Sequence, residues 1–163
     1  MGKLSASLIE EYFAIHLPYR IRILLAHYLM TRAPWRGDRA QLEAAFEASL
    51  ITGRMFLNVV GVTKNRRGLL VPSRPRADDV SAIDLGGTLV DIGAMTPDDV
   101  TLLTGFLKMA DKGAAHLTMP MRHPVEQTHI AVTRICDLVK AHLYEATGRT
   151  FEVAITRTNP TGA

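Results

Sequence analysis

Cysteine is nearly missing from this chain. Cys136 stands alone among 163 residues, which excludes an intrachain disulfide and any thiolate metal cluster. Its position in the periodic pattern of a late helix marks it as a small core residue. The familiar catalytic motifs are missing as well. No Gly-x-Ser-x-Gly elbow occurs, and Gly86-Gly87-Thr88 lacks the Gly-Lys-Ser/Thr ending that would hold a phosphate and its Mg²⁺. Six histidines are present, yet neither HExxH nor a Cys/His ligand spacing appears, so no metal and no cofactor are expected. His116, His123 and His129 gather around Pro120 and Pro124. Surface or capping roles are the expectation for them, with a metal site as the minor alternative.

Long apolar runs are missing too. Ile21 to Tyr28 carries Arg22 and His27 and is too short and too polar to span a bilayer. The first residues show no charged region followed by an apolar core. The expectation is a cytoplasmic protein with no membrane partner. Acid is missing from Ala48 to Ala77, where Arg54, Lys64, Arg66, Arg67, Arg74 and Arg76 fall. The next stretch reverses sign, with Asp78, Asp79, Asp84, Asp91, Asp98, Asp99 and Asp111 against Lys108. The two segments either face each other across one surface or form a basic lobe for an anion such as RNA phosphate. A formal charge of +3 is too small for a dedicated nucleic-acid binder, and the basic loop lacks aromatic stacking partners.

What is present is helical periodicity. The apolar share of 47% fits one globular domain with a real core. Leu4 to Ile15 predicts a first helix, and Pro18 interrupts it and opens a second, with Ile21, Leu24, Leu25, Tyr28 and Leu29 as its stripe. Asp38 caps the third, whose stripe runs Leu42, Phe46, Leu50, Gly53, Leu57 and Val60. Gly53 costs roughly 1 kcal/mol of helix propensity, which predicts close approach of another helix there. From Gly61 to Gly93 the pattern breaks into a long connection, in which Leu69–Val71 and Thr88–Val90 are candidates for a minor hairpin. Thr96-Pro97-Asp98-Asp99 starts a fourth helix, and a last one spans about Val125 to Ala146 with Gly148 at its C-cap. The fold class is therefore mainly α, a single-domain antiparallel bundle of four or five helices with one long loop. Residues 1–148 form the bundle and 149–163 a C-terminal tail, partly disordered. The third and last helices are expected to be the central pair.

Two short constellations carry chemistry. Arg22 and His27 lie five apart, about 140° of rotation on a helix, so their heads sit on adjoining flanks. Across a symmetric dimer they would meet, His handling the 2′-hydroxyl proton of RNA and Arg holding the phosphate. The plainer reading is a surface arginine and a boundary histidine. Lys112 and His116 are four apart, hence on one helical face, just before Met119-Pro120. They are expected to lie against the third helix near Gly53 and Arg54, forming an anion-binding cluster with Arg54, Arg66 and Arg67. In the plainer alternative His116 only caps the fourth helix.

The segment Ala48 to Leu57, followed later by Asp111-Lys112-Gly113-Ala114-Ala115-His116-Leu117-Thr118, resembles bacterial helical proteins related to the HEPN (higher eukaryote and prokaryote nucleotide-binding) superfamily. The similarity covers roughly Ala40 to Leu143. It implies a homodimeric helical bundle that binds RNA or a nucleotide. Active HEPN nucleases carry Arg, a polar residue and a His about a turn later. Here Met55 and Phe56 follow Arg54 with no His in reach, and Arg134 and His142 are too far apart. The resemblance therefore implies a non-catalytic or weakly catalytic protein. The alternatives are a metal-independent endoribonuclease using Arg22 and His27 or Lys112 and His116, and a pure protein-interaction module of a toxin–antitoxin type pair.

Overall fold

The computed structural model describes residues 4–32, 34–74, 79–113 and 125–152, excluding the side chains of 112 and 113. It is a mainly helical bundle with one small hairpin. In order come α1 (Ala6–Glu11), α2 (Leu17–Thr31), α3 (Arg39–Val59), β1 (Val62–Lys64), β2 (Leu70–Pro72), α4 (Pro97–Gly113) and α5 (Val125–Val139). α3 and α5 each pack against the other long helices, α2 and α4 included, which makes them the central pair. Ile21 and Leu24 of α2, Phe56 and Leu57 of α3, Leu103 and Leu107 of α4, and Val132 and Ile135 of α5 fill the space between them. Each such side chain removed from water stabilises the fold by about 1.5–3 kcal/mol before chain entropy is counted.

Pro18 does not separate the first two helices. A π turn over Tyr12–His16 joins α1 to α2 in one rod, and the N–H of Leu17 donates to Tyr12 O across that widened turn. Proline lacks the N–H that would serve the carbonyl four residues back, and its ring would strike that carbonyl in a regular helix. Widening the turn just before it lets the helix continue.

The hairpin also differs from the sequence expectation. Leu70–Pro72 pairs antiparallel with Val62–Lys64, not with Thr88–Val90, in the register Thr63 opposite Val71. A tight turn suffices for that pairing. Asn65 Oδ1 accepts the N–H groups of Arg67 and Leu69, and Gly68 takes the left-handed φ of +80° that closes it.

The long connection is bound to the bundle as the cap of α3. That helix ends with Gly61 at φ +88°, leaving its last carbonyls without intrahelical donors. The amides of Ala82, Val90 and Ser73 donate to Val59 O, Val60 O and Gly61 O at 2.8, 2.9 and 2.8 Å. A second π turn, Lys140–Tyr144, extends α5, and its His142 carbonyl accepts the Thr88 N–H at 2.9 Å. Two expected caps are present: Asp38 accepts from Ala40 N–H, and Thr96 from Asp99 N–H. Gly148 closes the last helical turn among the described residues at φ +69°. Of the proposed tail, only residues up to 152 lie within the description.

Candidate functional site

The first rod, α3 and the hairpin leave a cleft of about 1170 Å³ between them. Its floor is apolar, with Leu17, Phe56, Val59 and Leu85. Its walls carry Arg20 from α2, Arg54 from α3 and Arg74 just after β2, with Tyr12 and His16 from the first π turn. Asp79 is the acid on this wall, alongside the polar pair formed where Ser73 donates to Asn58 Oδ1. The location of Tyr12 and His16 follows from Pro18, because the π turn it imposes re-aims those side chains by a fraction of a turn. Their rings stand 5.1 Å apart.

Arg54 is held from one side. Asp111, near the end of α4, forms ion pairs with Arg54 Nη1 at 3.0 Å and with Lys64 Nζ at 2.5 Å. The acid-poor and acid-rich segments do meet, and they meet here. Arg20 and Arg74 make no ion pair among the described residues. A guanidinium carries five donors in a planar fork suited to phosphate or carboxylate, so the cleft offers anion donors above an apolar floor.

The other sequence candidates are dispersed. Arg66 and Arg67 are exposed in the hairpin turn and do not line the cleft. The side chain of Lys112 and all of His116 lie outside the described residues, although Asp111 brings the end of α4 against Arg54. Gly53 is packed as expected, with Phe106 of α4 and Leu24 of α2 against the place a side chain would occupy. Arg22 is exposed while His27 is buried, so the protomer does not gather this pair.

His27 meets His129 of α5 instead, Nδ1 to Nε2 at 3.0 Å. Its ring lies edge-on to Phe46 at 5.0 Å, and the His129 ring lies against Tyr28 at 5.4 Å. Burial holds both imidazoles below their ordinary pKa, aided by the neighbouring ring for His27 and by Arg32 for His129, with Glu126 opposing. A base whose pKa is depressed on folding binds fewer protons folded than unfolded. Its stability contribution is complete above the unfolded value near 6.5 and is lost as pH falls below it. The melting temperature is therefore expected to fall between pH 7.5 and 5. His129→Gln should reduce that dependence, with His142, also held low by burial, contributing the remainder, and an unchanged slope would show that the pair does not govern it.

Sequence reasoning missed Arg20, Tyr12, Asp111 and the His27–His129 contact. Helical periodicity marks which face is apolar, but not which polar residues of separate helices converge. The one available signal was Pro18, whose interruption of a helical stripe places a widened turn at Tyr12–His16. No protein-family model, curated protein or solved structure matches this chain. No helix among the described residues is long and apolar enough to cross a membrane.

Proposed function

We propose that this chain is a cytoplasmic, non-catalytic binding protein of HEPN-like type whose cleft takes a nucleoside phosphate, free or within an RNA strand. One observation carries the reading: Arg20, Arg54 and Arg74 converge on a cleft with an apolar floor and Tyr12 on its wall. Phosphate oxygens match the guanidinium forks, and a base has an aromatic ring and aliphatic side chains to lie against. The cleft is somewhat larger than most ligand pockets, with room for more than one nucleotide unit. The dispersal of Arg22 and His27 favours binding over cleavage within one protomer. A homodimer belongs to the same reading, and the exposed Ile15 and Tyr19 on the first rod favour it. Sedimentation velocity tests that part, a monomer at all concentrations being the contrary result.

Fluorescence polarisation with a labelled single-stranded RNA and with a labelled ATP tests the ligand class and separates its two sources. Binding should weaken with salt at a logarithmic slope of about −2, since three phosphate contacts each release about 0.7 counterion on a single strand. Arg20→Ala should weaken binding about tenfold, the loss of one charged hydrogen bond. Absence of binding by both probes at low salt would remove the nucleotide reading.

A further inference from the structure

The cleft leaves His27 and His129 unused, and apolar packing does not account for two ring nitrogens aimed at each other from different helices. We propose that this pair is a binding site for one divalent transition-metal ion of the imidazole-binding kind, Cu²⁺, Ni²⁺ or Zn²⁺. Histidine nitrogens hold such ions at about 2.0–2.1 Å. Two bonds of that length spanning the observed 3.0 Å meet at about 95°. That is the cis angle of a tetragonal Cu²⁺ or Ni²⁺ site and a compressed angle for Zn²⁺.

Without an ion, one ring donates its facing N–H to the other. With an ion, that proton moves to the remote nitrogen of the same ring, so His27 carries it on Nε2 and His129 on Nδ1. Both facing lone pairs are then free to bind the metal once each ring turns off the N–N line, and neither ring changes its net charge. Burial already favours the neutral rings that ligation requires.

Phe46 and Tyr28 wall the site. On its polar side, the Thr31 hydroxyl lies 3.5 Å from His129 Nε2 while donating to the His27 and Tyr28 carbonyls. Among the described residues no three His, Cys, Asp or Glu side chains form a closed ligand set. The remaining coordination positions therefore fall to water or an incoming ligand, as in an open site. The charges acting here are Arg32, held over the Tyr28 ring at 4.5 Å, and Glu126, one turn before His129 on α5. With a guanidinium beside it, the site disfavours Mg²⁺ and Ca²⁺, which bind through charge and oxygen ligands.

The test is calorimetric titration of the chelator-stripped full chain with CuCl₂, NiCl₂, ZnCl₂ and MgCl₂, together with electron paramagnetic resonance of the Cu²⁺ form. The expected result is one ion per chain for at least one of the first three, no Mg²⁺ binding, and nitrogen hyperfine splitting from two imidazoles where Cu²⁺ binds. His129→Gln, at the half-buried partner, should weaken binding at least tenfold with circular dichroism unchanged. His27→Asn should do the same, and should it fail to fold, His129→Gln decides. The double variant His116→Ala/His123→Ala should bind as the parent does. Undiminished binding by His129→Gln, loss in the double variant, or no one-to-one binding by any of the three ions would overturn the proposal.

Discussion

Replacing Gly53 with Val should destabilise the protein by about 3 kcal/mol, the upper part of the range for overpacking a filled core. A β-carbon at this position would overlap the Phe106 ring and come within 3.2 Å of Leu24 Cδ1. Three helices meet here, and their side chains are buried: Phe106 is 2% exposed and Leu24 0%. Neither neighbour can swing into solvent, so α4 must move away from α3. In a chain of this size the loss corresponds to a fall in melting temperature of roughly 10 °C. A double-mutant cycle with Phe106→Leu separates overlap from propensity, because shortening the ring should return part of the lost stability. Additive losses in that cycle would mean that the ring is not the obstruction. The helix-propensity gain from replacing glycine is below about 1 kcal/mol, too small to reverse the sign.

Gly87→Val should cost a comparable amount, about 3 kcal/mol, by a different route. A β-carbon on Gly87 would run into the carbonyl oxygen of His142, a backbone atom in the π turn that extends α5. Backbone in a packed helix does not yield, so the connection must lift off. Three contacts would be lost: Gly87 N–H to Ala82 O at 2.8 Å, Thr88 N–H to His142 O at 2.9 Å, and the Thr88 hydroxyl to His142 Nδ1 at 2.9 Å. Each is worth about 1 kcal/mol net. Hydrogen exchange gives the specific signature, protection lost at Thr88 while α2 and α3 fall only by the global loss in stability. Protection retained at Thr88 would contradict the docking of this loop on the π turn.

The bundle was legible because helical stripes and caps are local. Asp38, Thr96-Pro97 and Gly148 each mark a boundary through their own backbone chemistry, and Gly53 announced close packing by being a poor helix former in a long helix. The hairpin was half legible. Leu69–Val71 has strand character by itself, but its partner is chosen by loop length and by the Asn65–Gly68 turn, which propensity does not encode. Pro18 misled for a physical reason: a π turn absorbs it where a regular helix would break. The cleft was the least legible part. Arg54 and Arg74 stood out within an acid-free run, whereas Arg20 joins them only because the first rod packs beside α3. The apolar stripes of these helices say nothing about which polar flanks face one another. His27 and His129 are further apart still, brought together by the packing of α2 on α5.

The most direct measurement is a map of amide chemical-shift changes in labelled protein titrated with unlabelled ATP, repeated with a short single-stranded RNA. The largest changes are expected at Tyr12, His16, Arg20, Arg54 and Arg74 around the cleft, reduced in Arg20→Ala. Changes centred on the exposed turn at Arg66 and Arg67, with the cleft unmoved, would contradict it.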